Sequence, residues 1–252
     1  PPTPTQGLGR RQRQMCIRDR FSAGVQRIQK RSNGWIRNLF LNFRLEEYTT
    51  GAFDDDRSRL LTPGISYSFV EEDYPPRPLS GHRSTAMTRG ALDGAVSDTS
   101  FLQLYGNTKW VFSLWNGGRL LTRAEAGATL IDELDSLPAT VRFFAGGDTS
   151  VRGYAYNSLG PTDVFGEVVG GQNLMVGSVE IDQQFATDWS AAAFIDSGNA
   201  YDSLDEFDPA TSVGAGIRWF SPLGPIRFDV AAPLDKDAPD NYRVHITLGP
   251  DL

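Results

Sequence analysis

The sequence predicts an all-β protein, an antiparallel transmembrane β-barrel of which this chain would hold about eleven strands. Three observations predict this class. Many segments alternate apolar and polar residues over roughly ten positions or more, the length of a tilted membrane strand and longer than an average globular strand. The connections between them alternate between short and long, as in outer-membrane barrels. All five tryptophans lie in or beside the short connections.

The alternation predicts eleven strands in chain order, at about 20–31, 34–48, 59–70, 79–91, 99–114, 117–130, 172–186, 189–199, 211–221, 224–232 and 241–249. In the sixth strand, Arg119, Arg123 and Glu125 share one face, and leucine and alanine side chains share the other. In the tenth strand, Asp229 falls on the polar face. A period of two with charges on one face is typical of a half-buried sheet.

The connections distinguish a barrel from a soluble β-sandwich, the alternative that the alternation leaves open. The short connections are 31–35, 116–118, 186–189 and 221–224, with a longer one at 71–78 on the same side. The long connections are 49–57, 131–171, 201–210 and 233–241. Aromatic girdles mark a membrane interface, and a sandwich gives no reason to gather all tryptophans at one end. These residues are Trp35, Trp110, Trp115, Trp189 and Trp219.

Composition excludes several other classes of protein. The formal net charge is −7 and no basic face is visible, which argues against nucleic-acid binding. One cysteine cannot make a disulfide framework, and the two histidines, far apart in the sequence, argue against a histidine-rich metal site. We find neither a nucleophile elbow nor another enzyme signature. We expect no enzyme activity, no metal and no cofactor. His245 is expected to line the barrel interior.

The first 19 residues do not follow the pattern of the rest. Residues 11–18, RQRQMCIR, resemble a translated sequencing adapter, and the stretch around them is basic without alternation. We expect residues 1–19 to be non-native or disordered and the barrel domain to span 20–252. A basic disordered tail is the alternative.

The segment 142–161, RFFAGGDTSVRGYAYNSLGP, resembles the sixth extracellular loop of the BamA/TamA superfamily of outer-membrane assembly proteins. Its motif is Val151, Arg152, Gly153 and Tyr154. The FFAGGD lead-in, the SPLGPIRFD at 221–229 and the terminal LGPDL are most similar to the TamA branch, the outer-membrane subunit of the translocation and assembly module. The resemblance is strong over 140–252 and looser over 20–139.

The resemblance implies a 16-stranded barrel of the bacterial surface antigen type, preceded by POTRA domains. This chain would hold strands six to sixteen, leaving the barrel open where the N-terminal strands are missing. The long loop 131–171 would enter the lumen.

The resemblance also implies that Arg152 pairs with carboxylates on the two strands after the loop, which here are Glu180 and Asp196. A guanidinium suits a carboxylate in a partly desolvated lumen. Asp182 shares the face of Glu180 and is a competing partner. A solvated Arg152 is the remaining alternative.

The last strand would border the barrel seam and pair poorly with strand one, offering an edge for strand addition. Its apolar residues are Tyr242, Val244, Ile246 and Leu248.

The function that the resemblance implies is that of an outer-membrane protein assembly factor, an insertase or translocase subunit in the outer membrane of a Gram-negative bacterium. It would aid the insertion of β-barrel proteins such as autotransporters. The expected partners are a TamB-like periplasm-spanning protein, unfolded outer-membrane protein substrates and outer-membrane lipids. The alternatives are a two-partner secretion transporter or passive pore with the same loop motif, and a soluble β-sandwich binding module.

Overall fold

The computed structural model describes residues 16–49, 55–73, 77–221, 224–235, 238 and 240–249. Within these ranges it contains eleven strands, which confirms the predicted all-β class. They are β1 (Cys16–Lys30), β2 (Ile36–Thr49), β3 (Asp55–Glu72), β4 (Gly81–Ala91), β5 (Phe101–Trp115), β6 (Gly118–Leu130), β7 (Asn173–Ala186), β8 (Trp189–Tyr201), β9 (Ala210–Ser221), β10 (Gly224–Pro233) and β11 (Arg243–Leu248). Two short 3-10 helices cover Leu134–Ser136 and Leu204–Glu206.

All eleven strands form one antiparallel sheet whose spatial order is the chain order. The sandwich alternative is therefore wrong, because a sandwich needs two packed sheets. In the described part of the chain, β1 and β11 each have a single neighbour, so the sheet is open between them. No described helix has the length and apolar character needed to cross a bilayer.

The first strand begins earlier than expected. The backbone of residues 16–19 pairs with the end of β2, with Cys16 opposite Thr49 and Asp19 opposite Glu47. The first strand therefore begins at Cys16, four residues before its predicted start at about residue 20. The physical reason is that β2 extends to Thr49, and its backbone groups are satisfied by a partner strand of matching length. Residues 1–15 lie outside the described residues, and the expectation for them stays a prediction.

The two faces of the sheet differ in polarity as the alternation predicts. Side chains on the outer face are apolar and exposed; Ile246, for example, is 71% exposed. An apolar surface of this extent is typical of a barrel wall that faces lipid. Other members of this outer face are Val25, Leu39, Leu41, Leu102, Leu104, Phe112, Met175, Val179, Ile181, Ile195, Val213, Ile217, Phe228 and Val230.

The tryptophans lie at one rim of the sheet, the end that carries the short connections. Trp189 and Trp219 are opposite each other on β8 and β9, with ring centroids 6.0 Å apart. Trp110 stacks on His82 at 4.3 Å, so this histidine belongs to the aromatic girdle. The predicted clustering at one rim is confirmed.

The connection between β6 and β7, hereafter the long loop (131–172), lies on the polar face. It touches strands as far apart as β2, where Thr140 donates to Glu46 at 2.6 Å, and β11, where His245 bonds to Arg152. Contacts across that many strands require the sheet to curl around the loop. A buried cluster joins the loop to the strands; its members are Phe143, Ala145, Val151, Tyr154, Leu174, Val176, Ala200 and Ala210.

Candidate functional site

Glycines shape the path of the long loop at its entry to the site. Gly146 and Gly147 adopt φ values of 97° and 104°, which L side chains rarely tolerate. A Cβ on Gly146 would also lie 2.3 Å from the carbonyl oxygen of Ala155. This tight path brings the motif of Val151, Arg152, Gly153 and Tyr154 against the polar face of the strands, with Val151 fully buried.

Arg152 lies among carboxylates of the strands that follow the loop. Its Nε and Nη2 donate to the two carboxylate oxygens of Asp196 at 2.7 and 2.9 Å, a bidentate pair. Its backbone N–H donates to the same carboxylate at 3.1 Å. Nη1 donates to Glu180 at 2.8 Å. The structure thus brings Arg152 to both predicted partners, and it is only 7% exposed, so it is not a solvated loop residue.

An aromatic ring and a serine complete the surroundings of this guanidinium. The Arg152 Cζ atom lies 3.2 Å from the centroid of the Phe194 ring, close enough for a cation–π interaction. Ser178 donates to Asp196 at 2.6 Å and fixes the carboxylate in position. Phe194 and Asp196 are two residues apart on β8, so one strand supplies both the ring and the bidentate acceptor.

Two further residues at the site were not predicted to take part. Asp229 on β10 accepts a hydrogen bond from Arg152 at 3.3 Å. Arg218 on β9 donates to Glu180 at 2.8 Å and to Asp229 at 2.5 Å. The polar-face position of both residues was visible in the alternation, and this is the signal that could have found them. Their convergence depends on how far the sheet curls.

Asp182 does not reach Arg152. It lies two residues beyond Glu180 on β7, roughly 7 Å closer to the short connections. There it accepts hydrogen bonds from Arg77 at 2.8 Å and Ser190 at 2.7 Å, and it forms an ion pair with Arg119 at 3.2 Å. Asp182 therefore belongs to a second ionic cluster, near the rim that carries the short connections.

The charges around Arg152 hold it protonated. Burial lowers the pKa of its guanidinium, but the hydrogen bonds and charge of Asp196 and the charge of Glu180 outweigh this and raise that pKa above its ordinary value. Burial and the hydrogen bond to Asp235 likewise raise the pKa of the Tyr154 phenol. Both side chains therefore remain donors throughout the physiological pH range.

The rest of the motif contacts the last strands. The Gly153 N–H donates to the Ser212 hydroxyl on β9 at 3.1 Å. The Tyr154 hydroxyl donates to Asp235 in the connection after β10. His245 lies on the polar face of β11, and its Nε2 donates to the Arg152 carbonyl oxygen at 2.6 Å.

Three of the four predicted seam residues lie on the outer face of β11. Val244, Ile246 and Leu248 are exposed there, whereas Tyr242 precedes the first residue of β11 and is exposed as well. Within the described ranges, no group of three or more His, Cys, Asp or Glu side chains could hold a metal ion.

A single antiparallel sheet with an apolar outer face, curled around a loop arginine paired with strand carboxylates, is the architecture of an outer-membrane β-barrel protein. The chain belongs to the Omp85 superfamily, since residues 20–251 match the Omp85 superfamily domain.

Relatives of known function are longer than this chain. It is 36% identical over 211 residues to the outer membrane protein assembly factor BamA of Nitratidesulfovibrio vulgaris, covering 77% of this chain and 27% of the relative. It is 29% identical over 207 residues to BamA of Neisseria meningitidis serogroup B, covering 64% and 26%. The chain thus spans about a quarter of the length of these relatives.

Solved structures share the fold at low sequence identity. BamA from Haemophilus ducreyi lacking POTRA domains 1–3 superposes with a TM-score of 0.76 at 18% identity, covering 92% of this chain and 54% of that one. CdiB from Acinetobacter baumannii superposes with a TM-score of 0.58 at 12% identity, covering 90% and 41%.

Proposed function

We propose that this chain is the barrel region of an outer-membrane protein assembly factor that promotes the insertion of β-barrel proteins. The observation that carries the proposal is the long loop packed against the inner face through Arg152, Glu180 and Asp196. The relatives named as assembly factors support it. A loop held by buried ion pairs makes the inner face a rigid support, so that movement is left to the edge of the sheet.

The proposed mechanism uses strand pairing in place of a catalytic side chain. β11 pairs with β10 through six residues, from Arg243 opposite Ala231 to Leu248 opposite Ile226. As the family resemblance implies, its outer edge would pair poorly with the first strand of a complete barrel, so its backbone N–H and C=O groups could pair with a strand of an unfolded client. The client would then extend the sheet directly into the lipid that borders the apolar face.

A liposome assay tests the proposal with the complete protein that contains this chain. Urea-unfolded client barrel protein is diluted into the liposomes, and the folded fraction is measured by heat-modifiable gel mobility. We expect Arg152→Ala to slow client folding at least several-fold. Arg57→Ala is the matched control, because the Arg57 side chain is 68% exposed and pairs with Glu47 at the surface. Equal client folding with the Arg152 variant and the unaltered protein would overturn the proposal.

We propose further that the assembly role is of the TamA type, with autotransporters as clients and a TamB-like periplasm-spanning partner. The motifs at 143–148, 221–229 and 248–252 support this branch, whereas the curated relatives carry the name BamA. Deletion of the gene in its host separates the two. Defects confined to autotransporters, with copurification of a TamB-like protein, support the TamA type. A loss of outer-membrane barrels in general contradicts it.

A two-partner secretion transporter is the second candidate, favoured by the structural likeness to CdiB. A transporter of this kind moves a polypeptide through the lumen. Release of a client to the far side of the liposome membrane, with no inserted client, would support transport over assembly.

A further inference from the structure

The Arg152 motif contacts more than the carboxylates of β7 and β8. The carbonyl oxygen of Arg152 accepts a hydrogen bond from Nε2 of His245, 2.6 Å away on β11. A carbonyl can only accept, so the proton lies on Nε2. This bond joins the middle of the long loop to the middle of the terminal strand, at a sequence separation of 93.

The two residues after Arg152 continue the contact along the same hairpin. A Cβ on Gly153 would lie 2.9 Å from the backbone nitrogen of Pro233, so the loop backbone rests directly on the end of β10. The Tyr154 hydroxyl donates to Asp235, in the connection between β10 and β11. Three consecutive residues of the loop thus touch β11, the end of β10 and the connection between them.

We propose that Gly153, Tyr154 and His245 form a clamp through which the long loop sets the position of the terminal hairpin, so that loop and hairpin shift as one unit. We call these three residues the hairpin clamp. β11 needs such support, because its ladder with β10 covers only six residues, whereas β8 pairs with each of its neighbours over ten or more. A hydrogen bond from its inner face therefore makes a large fractional contribution to holding it.

The clamp makes the coupling reciprocal. If the loop stabilises the docked hairpin, then displacing the hairpin weakens the loop by the same factor. Resting on the assembly role proposed above, this means that a client pairing with β11 would be sensed at Arg152. The clamp itself depends only on the contacts within this chain.

Hydrogen exchange of the complete protein in lipid nanodiscs tests the clamp without any client. The variants are His245→Leu, which removes the donor, and Tyr154→Phe, which removes one oxygen and preserves packing. We expect each to speed exchange of the β11 amides by about threefold to tenfold, the range for one net hydrogen bond. The loop amides of Gly147 and Gly153 should speed up in the same variants. His245→Gln, whose amide places a donor at similar reach, should restore most of the protection.

Thr247→Val is the matched control, since Thr247 shares the inner face of β11 and the change preserves shape. It should leave exchange in the loop unchanged. The clamp is overturned if Tyr154→Phe and His245→Leu leave β11 protected, or if β11 alone responds and the loop does not. Coupled exchange in a protein that assembles no client would reject the assembly role and keep the clamp, so the two failures are distinguishable.

Discussion

Replacing Arg152 with alanine removes the donor shared by three carboxylates. The ion-pair distances are 2.7 Å to Asp196, 2.8 Å to Glu180 and 3.3 Å to Asp229. The substitution leaves these three carboxylates buried, and Arg218 is the guanidinium that still donates to two of them, Glu180 and Asp229. Breaking a buried pair by removing one partner costs about 3–5 kcal/mol.

Arg152→Lys should recover part of this loss. Lysine keeps the charge, but its ammonium group cannot form the bidentate bond to Asp196 while also reaching Glu180. We expect it to retain about one charge-assisted hydrogen bond, which contributes roughly 1.5–3 kcal/mol. The order of local stability is therefore arginine, then lysine, then alanine.

Hydrogen exchange at two amides measures these values directly. The N–H of residue 152 bonds to Asp196 and that of Gly153 bonds to Ser212, so both report opening of the loop. Each 1.4 kcal/mol changes the equilibrium constant for opening of the loop by about a factor of ten. Arg152→Ala should therefore speed exchange of these two amides by about a hundredfold or more. Unchanged exchange in the alanine variant, or a lysine variant equal to the unaltered protein, would refute the reasoning.

Three other predictions concern packing, the second ionic cluster and the membrane girdle. Gly153→Ala should lower stability by about 1–3 kcal/mol, because the added Cβ overpacks against Pro233. The temperature at which the heat-modifiable folded form is lost should fall accordingly. Gly177→Ala should leave that temperature unchanged, because nothing lies within 4 Å of the added Cβ. Asp182→Asn should lower stability by about 3 kcal/mol and speed hydrogen exchange at residues 77–80, because it breaks buried ion pairs. Asp240→Asn breaks an exposed ion pair and should change stability by less than about 1 kcal/mol. Equal effects of the two variants would contradict the expectation that burial strengthens the Asp182 pairs. Bilayers brominated near the headgroup should quench tryptophan fluorescence more than bilayers brominated at the chain ends, and the reverse order would argue against the girdle.

The strand order and the two faces could be predicted because both follow from local patterns. Period-two alternation places Glu180 and Asp229 on the polar face without knowledge of the fold, and tryptophan spacing identifies the interfacial rim. The start of β1 could not be predicted in this way. It depends on how far β2 continues, which the composition of residues 16–19 does not indicate.

The partners within the site could be predicted only in part, because alternation gives the face and not the height along a strand. Glu180 and Asp182 share a face, and the reach of the loop decides which one meets Arg152. Arg77 lies in an irregular connection, and only the folded sheet shows that it turns inward to Asp182. Such long-range pairings are set by the curvature of the whole sheet.

The long loop also acts as a counter-ion. Three carboxylates, Glu180, Asp196 and Asp229, face three guanidinium groups: Arg218 and Arg152 contact them directly, and Arg123 binds the loop carbonyls of residues 149 and 150. Of these three cations only Arg152 belongs to the loop. The six charged groups together are therefore neutral when the loop is docked, and the five that remain carry one net negative charge when the loop is withdrawn. A ring of exposed carboxylates favours cations in a pore. The ion selectivity of the lumen would therefore report the position of the loop in a single-channel recording.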